Sequence, residues 1–283
     1  MPELPEVETI IRRLRDGTQE QPSIVGNVIQ SVVITWDRII AEPEPQTFKE
    51  KLIGNKIQDA RRRGKFLHFP LSEGHLIGHL RMSGDMRMQR GVNSDGNPAP
   101  PDPYDRVIMN FESAWRLTFN NVRKFGRMWY VSDPQSVFNS LGPEPLSGEF
   151  TPEFLYEKLH AAHRQIKPLL MDQSFIAGLG NIYTDESLFR ARIHPLRKSD
   201  SLSRKEASML HNAIQHTLRE GILRFGSSLD WVYRGGEFQN HFNVYQQEGE
   251  SCPVCGAKIV RVTIGQRGTH FCPKCQVYPA AEN

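Results

Sequence analysis

The tightest constraint on this chain lies near its end, in "CPVC" (Cys252 to Cys255) and "CPKC" (Cys272 to Cys275). Sixteen residues, 256 through 271, separate the two pairs. A C-x-x-C turn aims two thiolates at one ion, and two such turns at this separation suit a tetrahedral four-cysteine site. All four cysteines of the chain fall here, which argues for a metal and against a disulfide framework. Four thiolates fill the coordination sphere. A zinc ion held by Cys252, Cys255, Cys272 and Cys275 is therefore structural, with no open position for a reactant. Between the knuckles, "KIVRVTIGQRGTHF" reads as a hairpin carrying Lys258, Arg261 and Arg267. A metal-stapled basic hairpin suits a phosphate backbone, with a solvated surface as the plainer alternative.

The rest of the chain changes texture once. Residues 24–140 hold short runs rich in Val, Ile and aromatics: "IVGNVIQSVVITW", "KFLHFPL", "HLIGHLRM", "DRVIMNF", "WRLTFN" and "GRMWYV". Gly, Asn, Asp and Pro separate them, as in an antiparallel sandwich or barrel. The stretch from Gln89 to Pro103 is too rich in Pro, Gly and Asn to belong to the core. At "LGPEPLSGEFTPEF" the pattern turns helical, with Thr151 and Pro152 placed to start a helix. A second helix is expected from Ser203, where Ser203 and Glu206 form a capping box and Leu210, Ile214, Leu218 and Ile222 share one face. The loop "GSSLDWVYRGGEFQN" then leads to the cysteines. The expected class is α+β and multidomain. It comprises an antiparallel β-sandwich domain over 1–140 flanked by an N-terminal helix, a helical domain over 141–248, and a four-cysteine zinc finger over 249–283.

The start, "MPELPEVETI", adds chemistry to this frame. Pro5, Glu6 and Glu8 read as the first turn of a helix whose Val7, Ile10, Ile11 and Leu14 form the buried face and whose end is Gly17. Removal of Met1 leaves Pro2 as a secondary amine just ahead of the helix N-terminus. An α-amino group titrates near 7.7–8.0 against about 10.4 for lysine, and the helix dipole lowers it further. Such an amine attacks an aldehyde-like carbon to give an iminium ion, and Glu3 is placed to move protons on the same substrate. Taken alone, the dipeptide reads more simply as a residue that permits Met1 removal beside a surface acid.

The formal charge of +3 is a weak hint of a polyanionic partner, and the placement of base says more: "RRRGK" at 61–65, Arg123 with Lys124, and the finger. No apolar run is long enough to span a bilayer and no signal-peptide pattern is present, so a cytoplasmic protein with no membrane partner is expected.

Taken together, the motifs resemble the formamidopyrimidine-DNA glycosylase family over essentially the whole length. "MPELPEVET" is similar to its N-terminal signature and "RRRGKFL" to its lysine strand, with Lys65 at the lysine. "HLRMSG" is similar to its reading-loop methionine and "NNVRKFGRM" to its D-x-R-[RK]-F-G loop. "LGPEPL" resembles its interdomain linker, "IKPLLMDQSFIAGLGNIYTDESLFRARIHP" its helix–two-turn–helix motif, and "GQRGTHFCPKCQ" its zinc finger. The resemblance implies a bifunctional DNA glycosylase and AP lyase of base excision repair, a monomer acting on damaged double-stranded DNA in a cleft, with one structural zinc. It implies that Pro2 attacks C1′ of an oxidised purine nucleotide flipped from the stack, that Glu3 assists sugar opening, and that Lys65 and Arg267 assist the strand cleavages. It implies that Met82, Arg123 and Phe125 fill the vacated space, that Lys167 and Asn181 grip the backbone, and that Tyr104 stands at a DNA-contact position. The chain departs from the family pattern at Asn121, where the motif has Asp, at Tyr104, where His is frequent, and around His163, where lysines are frequent. Two rival readings are an endonuclease VIII-like glycosylase for oxidised pyrimidines and a protein that binds lesions or structured DNA without cutting.

Overall fold

The computed structural model describes residues 1–93, 95, 97–228 and 235–278. The chain divides into two compact units, Met1–Asn139 with Ser228–Gly236, and Ser140–Ser227 with Glu237–Asn283. Part of the expected loop at 226–240 lies outside the described residues, as does any part there of the lesion loop that the resemblance implies within 141–248.

The first unit opens with helix α1 (Leu4–Asp16), which buries Val7, Ile10, Ile11 and Leu14. Burial of each such side chain contributes about 1.5–3 kcal/mol, so this face supplies much of what holds the helix to the sheets. Gly17 ends the helix at φ 73°, and a Cβ there would stand 2.9 Å from the Ser23 nitrogen, so only glycine fits the turn. The strands and helices that follow are β1 (Ile29–Ile34), β2 (Ile40–Glu42), α2 (Pro45–Leu52), β3 (Arg61–Arg63), β4 (Phe66–Pro70), β5 (His75–His79), β6 (Gly84–Arg90), β7 (Asp105–Phe111), β8 (Trp115–Asn121), β9 (Arg127–Val131) and α3 (Gln135–Phe138). They make two sheets, ordered β1-β7-β8-β6 and β2-β9-β5-β4-β3. All pairings are antiparallel except β2 with β9. Inward residues of both sheets share one core with α1 and α2, including Leu67, Phe69 and Met128 from one and Met86, Val107, Leu117 and Phe119 from the other. The expected β-sandwich flanked by a helix is present.

Three elements go beyond what the sequence pattern predicts. Helix α2 buries only Phe48 and Leu52, a single i,i+4 pair too short to register as periodicity. Strand β6 buries Met86 and Met88 between half-buried Asp85 and Arg87, so its alternation is hidden in a charged sequence. Strand β3 is three arginines, which sequence alone reads as a basic cluster. The Gln89–Pro103 stretch begins in β6 and is tied back where the Arg116 guanidinium donates to the carbonyls of Ala99 and Pro100.

The second unit contains α4 (Pro152–Ala162), α5 (Ile166–Met171), α6 (Asn181–Arg190), α7 (Arg204–Leu223) and the hairpin β10 (Val260–Ile264) and β11 (Arg267–Phe271). Thr151 caps α4 by accepting from the Phe154 amide, and Ser203 and Glu206 form the reciprocal box on α7. The finger is seated on α6. Phe189 joins Val244, Cys252, Ile259 and Cys272 in one small core. The buried Glu186 carboxylate accepts from the amides of Asn243, Val244 and Tyr245 at 2.9–3.0 Å, and its burial raises its pKa.

Candidate active site and metal centre

In the first unit, the helix start is built around two carboxylates. Helix α1 begins at Leu4, so Glu3 is its N-cap and Pro5 falls in the first turn. The Glu3 amide donates to Glu6 Oε2 at 2.8 Å, and the Glu3 carboxylate accepts from the Glu6 amide, a reciprocal capping box made with two glutamates. Both are nearly inaccessible, at 3 % and 2 %, and Pro2 is buried beside them. The box fixes the direction in which the chain presents Pro2 and the orientation of the Glu3 carboxyl. Sequence alone reads Glu6 only as a first-turn acid. The E-x-x-E spacing is the available signal, and the usual Ser or Thr at the cap is what is missing.

Lys65 is buried at the turn between β3 and β4, after Gly64 at φ 57°. This hairpin is attached to α1: Arg62 Nε pairs with Glu8 Oε2 at 3.0 Å, and Arg62 Nη1 donates to the Gly64 carbonyl at 3.1 Å. The helix that follows Pro2 and the turn that carries Lys65 are thus one braced assembly. His79, opposite Phe66 on β5, stacks edge-on to that ring at 4.6 Å. Burial, with Arg81 and Lys65 nearby, pushes its pKa down to about 3. It is therefore a neutral acceptor for the Arg81 amide at 3.0 Å, which supports Arg81 in the left-handed conformation at φ 54°. His79 lies inside one of the quoted motifs, which gives it no distinct signal of its own.

Two loops meet at the edge of this unit. Met82 is 40 % exposed and Phe125 54 % exposed, so neither is a core residue. Arg123 Nη1 lies 3.7 Å from Met82 Sδ, its guanidinium stands 5.8 Å from the centre of the Phe125 ring, and its amide donates to Ser83 Oγ at 3.1 Å. Asn121 joins the two loops beneath. Its Nδ2 donates to the Leu80 carbonyl at 3.2 Å, and its Oδ1 accepts from the Gly126 amide at 3.3 Å. An amide can donate and accept at once, which an ionised carboxylate cannot, so the departure from Asp gains a bond to the Met82 loop. Gly126 is forced by the same packing, because a Cβ there would stand 2.6 Å from the Phe119 ring. Tyr104 is 47 % exposed, lies under the Arg106 guanidinium and accepts from the Asn121 amide with its carbonyl.

In the second unit, Asn181 opens α6 and its Nδ2 donates to the Gly268 carbonyl at 3.0 Å. Lys167 is not on the surface. Its side chain is 1 % exposed, its ammonium pairs with Asp185 at 2.7 Å, and it donates to the same Gly268 carbonyl at 3.1 Å. Its ammonium is committed to Asp185 and to the Gly268 carbonyl, so the structure gives this lysine to the hairpin and not to a DNA backbone. Asp185 also accepts from the His270 amide at 2.9 Å, so β11 is stitched to α5 and α6 at alternate residues. The stitching presents Arg267, the exposed first residue of β11, at the end of a two-residue turn with Gly265 and Gln266 both at positive φ. Asp185 carries no signal in the sequence beyond its place in the motif.

The four cysteine sulfurs lie within 4.8 Å of one another, with Cys252–Cys275 at 3.8 Å and Cys255–Cys272 at 3.5 Å. A tetrahedron with Zn–S bonds of about 2.3 Å has edges of about 3.8 Å, so the set fits one zinc ion. The Cys275 amide points at Cys272 Sγ, and Gln276 accepts from the Cys272 amide while donating to the Ile193 carbonyl. These bonds orient the knuckle from outside the ligand set. The expected cofactor is borne out in kind and number.

The chain is similar to known proteins over its full length. Residues 1–128 match the family described as "Formamidopyrimidine-DNA glycosylase N-terminal domain", residues 141–231 "Formamidopyrimidine-DNA glycosylase H2TH domain", and residues 249–277 "Zinc finger found in FPG and IleRS". Among relatives named formamidopyrimidine-DNA glycosylase, that of Geobacillus kaustophilus is 42 % identical, covering 98 % of this chain and 100 % of its own. That of Protochlamydia amoebophila is 40 % identical, covering 98 % and 99 %. Two solved structures superpose with a TM-score of 0.87 at 38 % identity, covering 98 % of this chain and 100 % of theirs. One is MutM with DNA containing carbocyclic 8-oxo-G, and the other is the Lactococcus lactis protein with DNA containing FAPY-dG.

Proposed function

Because the chain belongs to the formamidopyrimidine-DNA glycosylase family, we propose that it excises oxidised purines from duplex DNA through an imine on Pro2 and then cuts the abasic site. It is a DNA glycosylase of base excision repair. The observation that carries the catalytic assignment is the capping box, which buries Glu3 and fixes Pro2 at the positive end of α1, with the Lys65 turn braced to the same helix.

In this reading the freed Pro2 nitrogen donates its lone pair to C1′ as the bond from C1′ to the base breaks and the base leaves with that electron pair. Glu3 moves the proton that opens the sugar at O4′, giving the iminium. Loss of a C2′ proton then expels the 3′ phosphate, and a second elimination expels the 5′ phosphate, leaving a one-nucleotide gap. Lys65 and Arg267 neutralise the phosphates that depart. Met82, Arg123 and Phe125 fill the place of the flipped nucleotide, with Phe125 as wedge and Arg123 donating to the orphaned base. Asn181 holds the backbone near a helix N-terminus, Tyr104 contacts it from the first unit, and Lys167 acts by seating the hairpin. The chain works as a monomer in the cytoplasm, in three parts at 1–140, 141–248 and 249–283. No helix among the described residues is long and apolar enough to cross a membrane.

The test is borohydride trapping on duplexes carrying 8-oxoguanine, a ring-opened purine or thymine glycol. Covalent capture with the purine lesions, lost when Met1 is retained, is the expected result. Capture by a protein of verified intact Met1 would remove Pro2 from the mechanism, and preference for thymine glycol would move the chain to the pyrimidine-specific type.

A further inference from the structure

We infer that Trp36 is a specificity-determining positioning residue, which holds the turn presenting Arg123 and Phe125 by taking the Lys124 ammonium onto its ring. The inference rests on the reading of Arg123 and Phe125 given above. Lys124 adopts φ 60°, a conformation that an L side chain with a Cβ occupies only when its surroundings compensate. Its own backbone gives little, since its amide reaches the Asn121 carbonyl at a long 3.3 Å. The compensation is at the side chain, where Nζ lies 4.0 Å from the centre of the Trp36 ring, within cation–π range. A lysine beside two DNA-facing residues would ordinarily offer its charge to a phosphate, yet here the chain turns it back onto the protein.

Trp36 can serve as a platform because it is fixed. It is half-buried against the sandwich core, between β1 and β2. Two residues on, the Arg38 carbonyl accepts from Arg127 Nη1, and Arg127 begins β9 immediately after the loop. The platform and the far end of the loop are therefore tied to each other. The companion loop uses a different device for the same strain, the His79 ring accepting from Arg81. Each gap-filling loop thus contains one left-handed non-glycine residue next to the side chain it presents, and each has its own brace.

The experiment measures excision of 8-oxoguanine opposite cytosine and opposite adenine by wild type, Trp36→Ala, Trp36→Phe, Lys124→Gly and the Trp36→Ala/Lys124→Gly pair. Cytosine offers the donating Arg123 two acceptors, whereas adenine offers one beside an amino donor. Trapping on single-stranded abasic DNA, which has no opposite base, is the control. Trp36→Ala should lower the cytosine-to-adenine ratio about two- to fivefold, the weight of an exposed cation–π contact, with single-strand trapping unchanged. Trp36→Phe should keep most of the ratio, so that a folding failure of the alanine variant does not decide the matter. Glycine adopts the turn without strain, so Trp36→Ala should add nothing in the Lys124→Gly background. A wild-type ratio in Trp36→Ala overturns the inference, as does an undiminished loss in the glycine background, which would assign the ring to packing alone. Wild-type protein that neither traps nor excises overturns the parent reading instead.

Discussion

His79 shows how one residue links the fold to the chemistry. Its Nδ1 must stay unprotonated to accept from Arg81, and burial with Arg81 and Lys65 close by holds its pKa at about 3. His68, desolvated and beside His75 and Arg61, is held at about 4. In both cases the folded pKa lies below the unfolded value, so the unfolded chain binds more protons as pH falls through 6.5. The stability these residues contribute is complete above pH 6.5 and is lost towards pH 3–4. His79 alone should cost about 2–3 kcal/mol by pH 4.5, since each unit below the unfolded pKa costs about 1.4 kcal/mol. Urea unfolding at about pH 7, 5.5 and 4.5 should show the decline, and His79→Gln should remove about half of it, with His68 supplying the rest. A wild-type curve level across that range would mean that both histidines titrate normally, and an undiminished decline in His79→Gln would clear His79 alone. Nothing in "HLIGHLRM" announces this, because a histidine's tautomer and burial depend on strands distant in sequence. At Asn121 the residue itself is legible as a departure, but its two bonds to separate loops are not.

At the scale of elements, β11 is held by side chains from two helices, and the buried pair Lys167–Asp185 is the centre of that attachment. Removing one member leaves an uncompensated buried charge. Asp185→Asn should therefore destabilise the second unit by about 3–5 kcal/mol. The double change Lys167→Met/Asp185→Leu should recover much of the stability, since apolar replacement of a buried pair is often neutral. On the role proposed for Arg267 it should not recover strand cleavage, because β11 keeps only the Asn181 bond to Gly268 and loses both the Lys167 donor and the Asp185 acceptor for the His270 amide. Recovery of both would show that the clasp has no positioning role. The capping box on α1 makes a smaller demand: Glu6→Ala should cost about 1 kcal/mol in thermal unfolding, the usual worth of a cap, and slow base excision by loosening Glu3. A variant equal to wild type in both would sink the orienting role. Helices with long apolar faces, such as α1 and α7, are legible because periodicity records them. Strands β3 and β6 are not, because their burial comes from what packs over them and their own composition is charged.

For the whole molecule, the two compact units have separate cores, and the finger shares its small core with α6. Chelation should therefore lower one unfolding transition and leave the other in place, and on the role proposed for Arg267 it should also lower DNA affinity. Calorimetry with and without a chelator checks this, and a single transition that moves as one would contradict independent units. The cysteine spacing predicts the metal in full, since coordination geometry is written into short local motifs. Which residues hold the finger down cannot be read from it, because Glu186, Asp185 and Phe189 look like an ordinary helix in sequence.

Sulfur is unevenly distributed over this fold. Met86, Met88, Met109 and Met128 are at most 5 % exposed inside the sandwich, whereas Met82 stands 40 % exposed with Sδ 3.7 Å from Arg123. The oxidants that create 8-oxoguanine also convert exposed thioethers to sulfoxides, and the sandwich shields all but the loop position of these five. A sulfoxide oxygen at Met82 is a strong acceptor facing a guanidinium that can only donate. On the role proposed for Arg123 it would draw the guanidinium away from the orphaned base, so mild peroxide treatment should erode opposite-base discrimination before it harms folding, and methionine sulfoxide reductase should restore it. On that account an oxidative burst blurs the judgement of its own repair enzyme, and Met82→Leu, which keeps the bulk without the sulfur, should be immune.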